Sequence, residues 1–182
     1  MDPAIESRWQ TIRDTPLGPA DAVVAFEDKL VGETGWTRRH AERAVLEYRR
    51  YLLLATLDAK GVSPSPDIDR VWHLHLLYTR DYWQHWCPNV LGFPLHHGPA
   101  TGTNDNRAAL DDAYARTLAG YQALFGSAPP SDLWPAKPMA AKSITVDPAR
   151  VVVLPRGVWR AGLIGVGLLF AALIAAAYLA VH

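Results

Sequence analysis

Residues 63–98 read SPSPDIDRVWHLHLLYTRDYWQHWCPNVLGFPLHHG, and in this segment helix signals coincide with side chains capable of chemistry. The segment contains five of the seven histidines, the only cysteine and three of the seven tryptophans of the 182-residue chain. Such a concentration within a fifth of the chain indicates that any functional site is here.

The first half of the segment has the pattern of a helix. Ser65 or Asp67 is a suitable N-cap, and Pro66 suits a first helical turn because its missing N–H would have no partner there. Apolar and aromatic residues then recur three or four positions apart as far as Pro88, which should break the helix. The pattern predicts a helix of about six turns, followed by a loop that runs to Asn106.

Helical spacing separates the histidines of this segment into two groups. Asp69 and His73 are four residues apart and therefore share one helix face. His75 is two residues beyond His73 and falls among apolar residues, so we expect a core histidine with a hydrogen-bond partner. His85 lies four residues after Asp81 and is expected to pair with it.

A returning loop could complete a metal site on the exposed face. Asp69 and His73 on the helix, with His96 and His97 from the loop, are the imidazole and carboxylate ligands that zinc, iron and manganese take. We therefore expect one divalent metal ion at these four residues. Neither HExxH nor paired CxxC is present, so the alternative remains that the histidines cap and pack around an aromatic core.

The same residues resemble a family signature. The run from Pro64 to Tyr82, followed by Cys87 and the pair His96-His97, resembles the pattern PSxxVDxxWHxHxLxTxxY…C…HH of the glycine-rich-domain-containing-protein-like family of plants and bacteria. The likeness covers about residues 20–105, with Ile68 where the family often has valine, and without the glycine-rich tail of the plant members. It implies a helical domain in which a histidine site is retained, and it implies no particular reaction.

Composition excludes some classes of function. Eighteen basic and eighteen acidic residues leave no net charge to attract nucleic acid, so we expect no nucleic-acid partner. A single cysteine allows no internal disulfide, which suits a reducing compartment. The N-terminus MDPAIESRWQTIRD carries acidic residues and no apolar run, so it lacks the features of a signal peptide.

The remainder of residues 1–126 also predicts helices. Amphipathic patterns occur at about 5–12, from Pro19 to about Gly35, from Thr37 to about Gly61, and from about Asp105 to Gly126. No convincing alternating strand pattern occurs in this region. The expected fold class is therefore all-α, a helical bundle domain over residues 1–126.

Two further segments are predicted after the bundle. Residues 127–157 form a proline-rich linker and juxtamembrane segment, with four prolines among residues 127–138. Residues 158–182 form a single C-terminal transmembrane helix, because 21 uncharged, mostly apolar residues separate Arg160 from His182.

The predicted span also carries topological signals. Lysine and arginine precede it while only His182 follows, so the large domain is expected on the cytoplasmic side of a single-pass, tail-anchored membrane protein. The lipid bilayer is then one partner. Small residues such as Gly162 and Gly165 would permit pairing with another membrane protein or with a second copy.

Two functional classes follow for the helical domain, whose activity the sequence does not assign. In the first, a membrane-tethered enzyme uses an ion held by Asp69, His73 and a loop histidine to activate water or oxygen. In the second, a non-catalytic interaction or scaffolding module uses the His/Trp cluster structurally. A third and weaker option makes Cys87 a nucleophile, with His85 or His96 as its base.

Overall fold

A computed structural model describes residues 2–19, 21–98 and 104–136, except for the side chains of residues 104–106. All of the described residues lie in one compact unit, Met1–Ala141. Over these ranges the chain is helical and contains no strand, as predicted. Its elements in order are α1 (Pro3–Asp14), α2 (Phe26–Thr34), α3 (Arg38–Leu57), α4 (Pro66–Leu77), the single turn α5 (Thr79–Asp81), a π-helix (Tyr82–Leu91) and α6 (Asn104–Phe125).

Helix α3 is the central element of the bundle. The side chain of Thr37 caps its N-terminus by accepting a hydrogen bond from the His40 backbone N–H at 3.2 Å. Its apolar face is broad enough to contact α1, α2, α4, α6 and the π-helix. The buried apolar residues of this face are Ala41, Ala44, Val45, Tyr48, Tyr51, Leu52, Leu53, Leu54 and Ala55. These five elements therefore pack their apolar residues against a single helix.

The end of α1 is joined to α3 by an arginine. Arg49 donates through Nη1 to the carbonyl oxygens of Ile12 and Thr15, at 2.5 and 2.7 Å. These carbonyls lie at the C-terminal end of α1, where backbone acceptors lack helical partners and a cation is favoured. The contact fixes α1 across the bundle.

The second helix begins later than the sequence predicted. The pattern placed its start near Pro19, but α2 begins at Phe26, and Val23 and Val24 are exposed in the preceding turn. Phe26 and Leu30 are the buried residues of α2. The prediction was wrong because it assigned Val23 and Val24 to the apolar face of the helix, whereas no described element packs against these two side chains.

The predicted six-turn helix is interrupted. Helix α4 ends at Leu77, because Tyr78 adopts φ −81° and ψ 53°, outside the helical region. The Tyr78 ring packs against Phe26 at 5.8 Å between centroids and lies close to Gly18, so tertiary contacts hold the break. Pro88, expected to end the helix, lies inside the π-helix, which ends instead at Gly92.

The first part of the predicted linker packs on the bundle. Leu133 and Trp134 are buried, and the Trp134 indole donates to Glu47 Oε2 at 3.0 Å. Glu47 is itself buried and also accepts hydrogen bonds from Arg50 and Tyr121. Residues 127–136 were expected to be extended, yet two large side chains of this segment complete the core next to α3 and α6.

The rest of the predicted linker and the predicted transmembrane helix, 158–182, lie outside the described residues. Within 2–19, 21–98 and 104–136, no helix combines the length and the hydropathy needed to cross a bilayer. The division of the chain at residues 126 and 157 stays a prediction.

Candidate metal centre

Helix α4 presents the first two candidate ligands, Asp69 at the end of its first turn and His73 one turn later. Ser65 is buried and its Oγ accepts from the Ile68 backbone N–H at 3.3 Å, so Ser65 is the cap of the two predicted candidates, Ser65 and Asp67. Ile68, Val71, Trp72 and His75 are buried. Asp69 and His73 remain accessible, with side chains 31% and 56% exposed. The helical period therefore places both on one solvent-facing stripe.

The loop after the π-helix brings the next candidates back to α4. Gly92, with φ +84°, ends the π-helix, and its N–H donates to the Cys87 carbonyl at 2.9 Å, a spacing of five residues. The Tyr82 hydroxyl accepts from the Trp72 indole at 3.0 Å and donates to the Leu95 carbonyl at 2.6 Å. These two bonds fix the loop beside α4, immediately before His96 and His97.

Asp69, His73 and His97 converge. His97 Nε2 lies 2.7 Å from Asp69 Oδ1, and His73 Nδ1 lies 3.5 Å from Asp69 Oδ2. The two imidazole rings are 4.5 Å apart between centroids. One potential ligand atom from each residue lies within 4.8 Å of the other two. Two ligands of one tetrahedral zinc ion are about 3.4 Å apart, so small side-chain rotations would suffice for coordination.

Trp72 forms a wall of this cluster. Its ring, 4% exposed, meets His97 in a T-shaped contact with centroids 4.6 Å apart. The His97 side chain is consequently only 22% exposed. An aromatic wall limits the movement of the imidazole and excludes water from one side of the cluster.

His96, the fourth predicted ligand, lies outside the cluster. Its ring packs against Trp83 at 5.0 Å between centroids. Adjacent residues in an extended loop point in opposite directions, so only one member of the His96-His97 pair can face Asp69. The metal set supported by the geometry therefore has three protein ligands.

His75 is a core histidine, as predicted. It is fully buried, its Nδ1 is 2.9 Å from the Tyr48 hydroxyl, and aromatic rings surround it. Its Nε2 has no hydrogen-bond partner among the described residues, because Asp81 Oδ2 is 3.8 Å away. Burial lowers the pKa of His75, an effect that the Asp81 carboxylate opposes.

His85 does not pair with Asp81. Its imidazole contacts Asn89 at 3.4 Å, whereas Asp81 accepts from the Gly18 backbone N–H at 3.1 Å.

Cys87 is buried, and burial raises the pKa of its thiol. A thiol kept protonated in the core is a poor nucleophile.

The supporting residues Trp72 and Tyr82 were not identified as functional from the sequence. Both belong to an aromatic stripe that any buried helix could carry. The sequence does show that the Trp72 indole N–H and the Tyr82 hydroxyl would each need a hydrogen-bond partner if buried. Which residue provides that partner depends on the fold.

Comparison with known proteins identifies a family. A protein-family model described as UCP032817-like matches residues 26–118, just over half of the chain. The matched range includes α2, α3, α4, the π-helix and the three clustered residues. No curated protein matches the chain, and no solved structure matches it.

Proposed function

The chain belongs to the UCP032817-like family, and from that premise we propose that Asp69, His73 and His97 bind one divalent metal ion. The observation that carries the proposal is the convergence of these three side chains from α4 and from the loop of residues 93–98, with potential ligand atoms within 4.8 Å of one another. Zinc, iron and manganese are the ions that suit two imidazoles and one carboxylate.

Three protein ligands define the chemistry that such a centre supports. Structural zinc sites are closed by four protein ligands, whereas sites that act on substrates keep at least one position open. A divalent ion with an open position activates water or an oxygen-containing substrate. The exposure of His73 leaves the site accessible to a small molecule. We assign the domain a metal-dependent activity on this basis, held at the cytoplasmic face of a membrane by residues 158–182.

The resemblance to the glycine-rich-domain-containing-protein-like family is part of the proposal. It rests on the WHxH sequence from Trp72 to His75 together with Cys87 and the His96-His97 pair. Two histidines of the pattern, His73 and His97, belong to the proposed site, while His75 has a structural role in the core.

One observation favours the alternative, a non-catalytic interaction module. The 2.7 Å contact between Asp69 and His97 satisfies both side chains without an ion. In this alternative the pair ties the loop to α4, and the His/Trp cluster is purely structural.

Metal analysis separates the two functions. The full chain, purified without a histidine tag and equilibrated with zinc, iron or manganese, is expected to retain about one equivalent of one ion. His73→Ala should abolish this retention, because it removes a ligand from an exposed position. The matched control is His96→Ala, which removes a neighbouring imidazole outside the cluster and should leave metal content unchanged.

The metal proposal fails if the wild-type chain retains no ion under these conditions. It also fails if His96→Ala loses as much metal as His73→Ala. In the structural alternative, His97→Ala lowers thermal stability in metal-free protein, and chelation changes nothing.

A further inference from the structure

A groove of about 580 Å³ runs between α2 and α4, both of which pack against α3. A volume of this order accommodates a small organic ligand. His73, one of the three proposed metal ligands, is itself among the residues that line this groove. A molecule bound in the groove therefore lies next to a side chain that holds the proposed ion.

The helical period sets the order of side chains along the α4 wall of the groove. Arg70, His73 and Leu77 all line the groove, at positions i, i+3 and i+7 of one helical stripe. With a rise of 1.5 Å per residue, Arg70 lies about 4.5 Å from His73 along the helix axis. Leu77 lies about 6 Å from His73 in the opposite direction. The wall therefore presents a cation, a proposed metal ligand and an apolar side chain, in that order.

Arg70 supplies hydrogen-bond donors next to the proposed metal centre. Its side chain is 57% exposed, and its guanidinium lies 5.8 Å from the centroid of the Trp36 ring. Its Nη1 is 3.8 Å from Asp67 Oδ1, which is beyond hydrogen-bond distance, while Asp67 Oδ2 contacts His40 Nε2 at 3.0 Å. A guanidinium presents a planar fork of donors that binds phosphate through two parallel hydrogen bonds. These donors are available to an anion in the groove.

The charges along the groove indicate a ligand with two negative charges. A divalent ion bound by one carboxylate and two neutral imidazoles keeps one positive charge, and Arg70 adds a second. Glu33, on the α2 wall, lies 4.0 Å from Lys29 Nζ, so the charges of these two residues offset each other. A phosphate monoester is close to a dianion at neutral pH, because its second pKa is about 6. Its charge therefore matches the two positive groups.

The remaining groove surface near Leu77 is apolar. Leu77 is 64% exposed, although it is a large apolar side chain on a helix of the bundle. The buried residues Leu30 and Leu74 also line the groove. A ligand that covers Leu77 removes apolar surface from water, which is favourable by about 25 cal/mol for each Å². The ligand is therefore expected to carry an apolar group about one helical turn from its phosphoryl group.

We propose that the groove binds the phosphate monoester of an apolar alcohol and that the metal centre hydrolyses it. Arg70 binds two phosphoryl oxygens, the third faces the ion at His73, and Leu77 contacts the alcohol portion. Water activated by the ion forms a new bond to phosphorus while the ester P–O bond breaks. One proton of the water goes to the departing alcohol oxygen, so the products are the alcohol and inorganic phosphate. This inference rests on the proposed metal function and names its substrate class.

Hydrolysis of 1-naphthyl phosphate by the full chain, loaded with the ion that it retains, tests the proposal. Arg70→Gln should lower kcat/KM at least about tenfold with metal content unchanged, because the charge-assisted hydrogen bonds to the phosphoryl group are lost. Arg70→Lys keeps the charge without the donor fork and should give an intermediate value. The matched control Arg107→Gln removes an exposed arginine of α6 and should change neither quantity. His73→Ala should lose both the ion and the hydrolysis.

A second variant tests the apolar part of the groove at an exposed position. Leu77→Ser should lower kcat/KM for 1-naphthyl phosphate about fivefold with metal content intact. It should leave the value for methyl phosphate unchanged, because that ester has no group that reaches Leu77. Ion retention without hydrolysis of 1-naphthyl phosphate, or hydrolysis that either Arg70→Gln or Leu77→Ser leaves unchanged, overturns this inference and leaves the metal function standing. A wild-type chain that retains no divalent ion overturns both.

Discussion

The residue with the most unusual environment is His75, which is completely buried among aromatic rings. Its pKa is lowered by burial relative to 6.5, and the positive charge of Arg49 acts in the same direction while Asp81 opposes it. The unfolded chain therefore binds a proton at His75 before the folded chain does as the pH falls. Stability from neutral His75 is present above about pH 6.5 and is lost progressively below it.

This linkage predicts a pH-dependent effect of His75→Gln on the full chain. The free energy of unfolding of the wild type should exceed that of the variant at pH 7.5, because glutamine packs less well among the rings. The difference should shrink at pH 5.5, since only the wild type carries the titrating imidazole. Urea unfolding at both pH values measures it. His85→Gln, at an exposed histidine, is the control. Equal differences at the two pH values would contradict the linkage.

At the scale of elements, the π-helix positions the loop that places His97 next to α4. Its wider turn and its end at Gly92 direct the following loop back over Trp72. Tyr82, at the start of the π-helix and fully buried, connects the two through its hydroxyl. An irregular helix at a candidate site is consistent with the frequent association of π-helical turns with function.

Removal of that hydroxyl should loosen the loop. Tyr82→Phe leaves the Trp72 indole N–H and the Leu95 carbonyl without their partner, and should lower the free energy of unfolding by about 1–3 kcal/mol. Amide hydrogen exchange of residues 95–98 should accelerate more than exchange in α3. Tyr114→Phe serves as the control, because it removes a phenol that bonds to Pro135. Unchanged exchange in the loop would exclude Tyr82 as its anchor.

At the scale of the whole molecule, a helical domain precedes a strongly apolar segment. The segment from Arg160 to His182 has the length of a bilayer-spanning helix and basic residues on its N-terminal side. Expressed in cells, the full chain should remain with membranes after alkaline carbonate extraction, whereas a chain ending at residue 157 should be released. A protease added to intact cells should not reach the domain. Release of the full chain by carbonate would refute anchoring by residues 158–182.

Residue spacing alone predicts only part of the candidate site. The four-residue separation of Asp69 and His73 is sufficient to place both on one helix face, because the helical period is local. The choice between His96 and His97 is not local. It depends on the direction in which the loop leaves Gly92 and on the bond from Tyr82 to Leu95, so only the folded chain selects His97.

The sequence by itself determined the helical class, the start of α3 at Thr37 and the core position of His75, and it limited the cap of α4 to Ser65 or Asp67. These features follow from short-range periodicity and backbone chemistry. The tertiary structure decided the break at Tyr78, the π-helix through Pro88 and the burial of Trp134. Each of these features depends on a contact with another part of the fold, made by Phe26, Trp72 and Glu47 respectively. The energies of such tertiary contacts outweigh the small local preferences from which sequence patterns are read.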